Sequence, residues 1–186
     1  MTEPTSHMIE RTFATLPVVN QGVIRWLRKE RVPASAIGDL PWLAESRVEF
    51  LPGRRFEFAG AATEKPEKAI VFLVNDAFGA IDLAAWQPRS GRLATWLGRA
   101  FALGQDNVWA PRLDAFRSLA VCRTPLSWLA GGREGIVILD ETKAAEELAL
   151  AGPLRAEDGP HVKELTDKLT RHPPPIIACT FVRAAA

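Results

Sequence analysis

The stretch SLAVCRTPLSWLAGGREGIVILDETKAAEELALAGPLRAEDGP, running from Ser118 to Pro160, decides the fold class. Ser118 to Cys122 has the length and apolar character of a strand, and Thr124-Pro125 follows as a helix N-cap with proline in the first helical position. That helix reaches Gly131-Gly132. Gly135 to Leu139 reads as a second strand, and Asp140, Glu141 and Thr142 make the entrance to a helix over Lys143 to Ala151. Pro153 to Ala156 is a third strand. Asp158-Gly159-Pro160 opens a helix in which Val162, Leu165 and Leu169 share one face, and after Pro173-Pro174-Pro175 a last strand spans Ile176 to Val182. The order βαβαβαβ predicts a largely parallel sheet covered by helices.

Toward the N-terminus the rhythm differs. Ala69 to Val74, Ala80 to Trp86 and Arg92 to Leu97 are strand-like runs separated by Asn75-Asp76 and by Pro88-Arg89-Ser90-Gly91, which predicts a three-stranded antiparallel meander. Val48 and Phe50, then Phe56 and Phe58, alternate with polar residues around Leu51-Pro52-Gly53-Arg54, a hairpin signal. Before them Val19, Val23, Trp26 and Leu27 fall at helical spacing within Val18 to Arg31, and a second short helix follows Pro33. The change of rhythm near Gln105-Asp106-Asn107 marks a boundary. The expected organisation is a flexible tail over 1–17, a helical start with an antiparallel sheet over 18–112, and an α/β unit over 113–186, hence α/β locally and α+β overall.

Composition narrows the function classes. The chain of 186 residues is 47% hydrophobic and 24% charged, ordinary for a folded globular protein. Its 23 Lys+Arg against 22 Asp+Glu leave a formal charge of +1, so any basic patch that binds nucleic acid must be local. The two cysteines, Cys122 and Cys179, form no CxxC spacing and no zinc set, and each reads as a small buried hydrophobe in a reducing cytoplasm. The polar N-terminus has no apolar core after it, and no apolar run approaches the roughly 18 residues of a membrane span, so neither export nor a membrane partner is expected. GxxxxGK[ST], HExxH and GxSxG are all missing, which excludes the P-loop, zinc-protease and α/β-hydrolase readings.

Ligands of parallel α/β sheets sit beyond the carboxyl ends of the strands. The residues there are Arg123 and Thr124, then Asp140 and Glu141, then Glu157 and Asp158. Four of the six are carboxylates, the hard oxygen ligands that a Mg²⁺ ion takes. The alternative role for acids at strand-to-helix junctions is capping, where they meet the positive end of the helix dipole. Arg123 likewise has two roles open to it: a bidentate grip on phosphate, or an ion pair with Asp140 or Glu157. His161, in the first turn of a helix, reads as a surface histidine.

The βαβαβαβ unit, with a carboxylate-bearing third strand over Pro153 to Asp158 running into the helix that contains His161, Val162, Lys163, Glu164 and Leu165, resembles the Toprim domain of primases, topoisomerases and related nucleases. The preceding half resembles the region before Toprim in phage and plasmid primase-like proteins: Trp26-Leu27-Arg28 stands for the helical segment, Asp76 to Gly79 for a turn, and Ile81-Asp82-Leu83 and Leu97-Gly98 for the strand and basic segment beyond it. Together these matches cover about residues 20 to 182. The resemblance implies DNA replication in a phage or mobile-element context. It departs from the family where the first strand should end in Glu-Gly, because Cys122-Arg123-Thr124 stands there, and Glu157 and Asp158 are adjacent with Gly159 in the place of a second acid. A fixed positive charge at Arg123 opposes a divalent cation. The implied protein is a degenerate, non-catalytic Toprim-like module that requires no cofactor.

A second nucleic-acid signal lies between Trp86 and Arg112. Arg89, Arg92, Arg99 and Arg112 outnumber the single acid Asp106, and Trp86, Trp96, Phe101 and Trp109 interleave with them as in platforms that stack single strands. At strand spacing Trp86 and Trp96 also suit the core, which leaves Trp109, beside Pro111, as the exposed candidate. The expected nucleic-acid contacts are therefore Arg89, Arg92, Arg99, Trp109, Arg112 and Arg123, with single-stranded DNA as the favoured partner. Two other functions stay open: a Mg²⁺-dependent phosphoryl-transfer enzyme using Asp140, Glu141, Glu157 and Asp158, and a protein interaction module.

Overall fold

The structure, a computed structural model, describes residues 4–38, 42–108, 118–169 and 176–178. Its first layer grows from the Pro52-Gly53-Arg54 turn. Gly53 (φ 72°) and Arg54 (φ 56°) both take the left-handed conformation that reverses the chain between β1 (Leu43–Leu51) and β2 (Arg55–Phe58), and Phe50 faces Phe56 across the pair. The expected meander forms from β3 (Glu67–Asp76), β4 (Gly79–Gln87) and β5 (Arg92–Thr95). The hairpin and the meander then close on each other. β1 pairs with β3 antiparallel from Leu43↔Phe72 to Val48↔Glu67, and β2 meets β5 in parallel at Arg55↔Thr95, giving a closed barrel in the order β1-β2-β5-β4-β3. This closure was not anticipated, because it joins strands distant in sequence whose pairing leaves no local signal.

The barrel core contains Val48, Phe56, Val71, Leu83 and Ala94, and Ile9 and Phe13 pack into the same cluster. Those two belong to α1 (Ser6–Ala14), so the stretch read as a flexible tail over 1–17 instead contributes a docked helix. Burial of two large side chains on one face holds it, a signal too short for periodicity to reveal. α2 (Gln21–Lys29) is shorter than the 18–31 expectation. Its N-cap Asn20 accepts from the amides of Gly22 and Val23, and α3 (Ala34–Gly38) follows.

The second layer is the anticipated α/β unit. β7 (Leu119–Cys122), α4 (Pro125–Ala130), β8 (Ile136–Ile138), α5 (Glu141–Leu148), β9 (Leu154–Ala156), α6 (Gly159–Lys168) and β10 (Ile176–Ala178) alternate as read, except that β6 (Ala102–Leu103) joins the edge antiparallel to β8. The order is β10-β9-β7-β8-β6, with every other pairing parallel. Thr124 and Ser127 form a reciprocal capping box at α4, and Pro125 stands at its start. Gly135 admits no side chain: its φ is 89°, and a Cβ there would lie 2.2 Å from the Ala120 carbonyl oxygen.

The two layers share a core. Trp42, Phe72 and Trp86 from the barrel side cluster with Leu103, Trp128, Leu129, Val137 and Leu139, and the Trp42 ring meets Trp128 edge-on at 5.9 Å. One buried carboxylate secures the crossing between the layers. Asp82 accepts from the backbone N–H groups of Leu83, Leu97, Arg99 and Ala100 at 2.6–3.1 Å, which pins the segment leading from β5 to β6. Gly98, at φ 69°, provides the turn inside that segment.

Candidate functional site

Parallel strands of the second layer deliver their carboxyl ends to one edge. β7 lies between β9 and β8, so Arg123 emerges between Glu157 and Asp158 on one side and Asp140 and Glu141 on the other. Asp140 and Glu157 stand two strands apart, about 10 Å by strand spacing. Asp140 caps α5, accepting from the amides of Thr142 and Lys143 at 3.0 and 3.1 Å. The acids therefore divide between two clusters instead of converging on one point. Among the described residues no group of three or more His, Cys, Asp or Glu is placed to hold a metal ion.

In the first cluster every donor of the Arg123 guanidinium is engaged. Nη1 and Nη2 bind Asp158 in parallel at 2.8 and 2.7 Å, Nε and Nη2 reach Glu164 at 3.2 and 3.4 Å, and Nη1 reaches Glu157 at 3.4 Å. A guanidinium has five N–H donors, and five bonds use them. The ion-pair alternative thus describes Arg123, with Asp158 as the bidentate partner in place of Asp140. The hydrogen bonds from Arg123 and the backbone N–H of His161 hold the Asp158 carboxyl down at about 2. The Glu164 carboxyl is lowered by Arg123, and the Arg123 pKa is raised in return.

His161 is not at the surface; it is buried. Its Nδ1 accepts the Glu157 backbone N–H at 3.1 Å, and its own amide donates to Asp158 at 2.8 Å. An accepting Nδ1 requires the neutral ring, and burial lowers the His161 pKa accordingly. Nearby Cys122 is a half-buried free thiol, pushed up to about 12 first by burial and then by the charge of Glu157, so it stays protonated and unreactive. Cys179 lies outside the described residues.

In the second cluster two cations meet on a single carboxylate, Glu141, beside the capping Asp140. Glu141 Oε1 receives both Arg54 Nη2 at 3.3 Å and Lys168 Nζ at 3.5 Å, and Arg54 Nη1 also donates to the Leu139 carbonyl at 3.2 Å. This strap ties the tip of the barrel hairpin to the α/β layer. Above it opens a cleft of about 600 Å³ between the two layers. Arg54, Arg92, Arg123 and Lys168 line it together with Phe50, Leu93, Pro125 and Leu126, and among the described residues no carboxylate does. The Arg92 guanidinium lies 4.5 Å over the Phe50 ring and pairs with Glu67 outside the cleft.

The anticipated nucleic-acid contacts are dispersed. Arg92 and Arg123 reach this cleft, whereas Arg89 lines a separate groove of about 680 Å³ walled by Trp26, Val23 and Ile70. Arg99 donates to the Pro4 carbonyl at 2.6 Å. Trp109 and Arg112 lie outside the described residues. Among the described residues the interleaved aromatics form no stacking platform: Trp86 and Phe101 are buried, and Trp96 packs edge-on against Phe58 at 5.6 Å. Arg54 and Lys168 were missed. The left-handed turn position of Arg54 was legible as a hairpin tip, but only barrel closure brings it to the sheet edge.

Compared with known proteins, the chain matches no family model, no curated protein and no solved structure.

Proposed function

We propose that this protein is a non-catalytic nucleic-acid-binding accessory module, Toprim- and primase-like in descent, and that it holds single-stranded DNA along the cationic cleft. The cleft itself carries this reading: Arg54, Arg92 and Lys168, with the acid-saturated Arg123 and several apolar side chains, face a space between two layers, and among the described residues no acid lines it. The near-zero net charge is no obstacle, because the paired acids Glu67, Glu141, Glu157, Asp158 and Glu164 do not line this cleft. Capping by Asp140 and the engagement of Glu157 and Asp158 with Arg123 support binding over phosphoryl transfer. A DNA-replication role in a phage or mobile element follows from the resemblance and belongs to the same proposal. Among the described residues no helix is long and apolar enough to cross a membrane. The exposed Phe78 is a single ring at a hairpin tip, which by itself does not amount to a docking patch.

Fluorescence anisotropy of a labelled single-stranded oligonucleotide tests this reading at low and physiological salt, with and without Mg²⁺. Binding that weakens with salt and is indifferent to Mg²⁺ is expected. A strict requirement for Mg²⁺ would turn the assignment toward the carboxylates, and no binding at low salt would end it.

A further inference from the structure

Two cations in the cleft converge on a single oxygen. Arg54 comes from the barrel hairpin and Lys168 from the last turn of α6, yet both lie within 3.5 Å of Glu141 Oε1. The three side chains are 56%, 46% and 36% exposed, so these contacts are solvent-screened and easily exchanged. Arg54 does not depend on Glu141 for its place. Its Nη1 is bonded to the Leu139 carbonyl, and its backbone is set by the left-handed turn. Both cations face the cleft, and Glu141 lines, with Asp140 and Arg54, an adjoining pocket of about 350 Å³. The point between Arg54 and Lys168 is thus an anion position, held by the protein's own Glu141 carboxylate, while the neighbouring Asp140 is taken up in capping α5.

Resting on the strand-binding reading above, we propose that this position receives the terminal phosphate of a nucleic-acid strand, one phosphate oxygen replacing Glu141 Oε1 between Arg54 and Lys168. A phosphomonoester end carries nearly two negative charges at neutral pH and an internal diester one, so two converging cations favour the end. Glu141 is then the internal competitor that keeps the position closed to weaker anions. Arg123, although in the same cleft, adds no donor to the phosphate because all five are bonded to carboxylates.

The test compares oligodeoxynucleotides of one sequence bearing a 5′-phosphate, a 3′-phosphate or hydroxyls at both ends, each titrated by anisotropy with the full chain. A phosphorylated end is expected to tighten binding on the order of tenfold, and the two phosphorylated strands show which end is taken. Arg54→Gly, which suits the left-handed backbone and so preserves the turn, and Lys168→Ala each remove that preference. Glu141→Gln strengthens binding of the phosphorylated strand more than Glu146→Gln, an equal charge change at an exposed site on the same helix. Equal affinity for all three strands, or a preference untouched by Arg54→Gly and Lys168→Ala, overturns the end assignment while leaving strand binding in place. No binding of any strand at low salt overturns both.

Discussion

Arg123 and Arg54 face one cleft and would count equally in any tally of basic residues, but their surroundings reverse their roles. Arg123 is encircled by Glu157, Asp158 and Glu164, all five donors bonded, and serves as an internal cation that ties β7 to β9 and α6. Arg54 shares its one carboxylate with Lys168 and remains more than half exposed. The first arginine is spent on the fold, whereas the second has charge left over for a ligand. Basic character available for binding therefore depends on the local ratio of cations to acids and on donor saturation, neither of which net charge reports.

The comparison breaks most severely if the crossing between the layers fails, since both clusters depend on it. Asp82→Ala leaves four backbone N–H groups without their acceptor and is expected to destabilise the fold by about 3–5 kcal/mol, read as a lower denaturant midpoint. Asp82→Asn, which retains one oxygen, should fall between that variant and the parent. Next in size is Arg123→Ala, which leaves three carboxylates facing one another. Its melting temperature should drop and the Asp158 carboxyl, followed by NMR titration, should climb from about 2 toward its ordinary 3.8. Strand affinity should hardly change; a folded Arg123→Ala protein that no longer binds would show that the two arginines do not differ as described.

Acid titration sharpens the contrast, because the Arg123 cluster carries the shifted groups. His161 is lowered in the fold, so the unfolded chain binds the extra proton and stability falls as pH drops below about 6.5. Asp158 and Glu164 are also lowered: their stabilisation is complete above their ordinary values of 3.8 and 4.5 and is lost as pH falls through the folded ones. Two successive losses are expected in urea midpoints measured from pH 7 to 3. His161→Asn, which can still accept the Glu157 amide but cannot take a proton, should remove the upper step alone. The smallest effect belongs to Arg92→Ala, whose exposed pair with Glu67 adds little stability; the salt slope of strand binding should shrink by about 0.7 with the melting temperature unchanged.

Much of the second layer is legible in the sequence alone. Thr124-Pro125, Asp140 and Asp158 marked helix entrances, and each is an N-cap with its side-chain oxygen bonded to amides of the first turn. Such signals act within four residues, so they survive in the sequence. The candidate site was only half legible. Strand-end logic located the edge and Arg123, but it counted Asp140, Glu141, Glu157 and Asp158 as one set when β7 holds the first two apart from the last two. Arg54 and Lys168 lie more than a hundred residues from each other, and neither carries a motif. The burial of His161 was hidden as well, since its partner is a backbone amide.

Local chemistry in the sequence determined the alternation of strands and helices, the capped helix starts, the β1–β2 turn and the parallel order that puts charged residues at one sheet edge. Tertiary structure alone decided that the hairpin and meander close into a barrel, that α1 docks on it, and that Trp42, Phe72 and Trp128 fuse barrel and sheet into one core. Caps and turns are written in neighbouring residues, where their energies are earned. Which carboxylate reaches which cation depends on packing between distant segments, and at a charge balance of +1 that pairing decides which basic groups remain to meet a ligand.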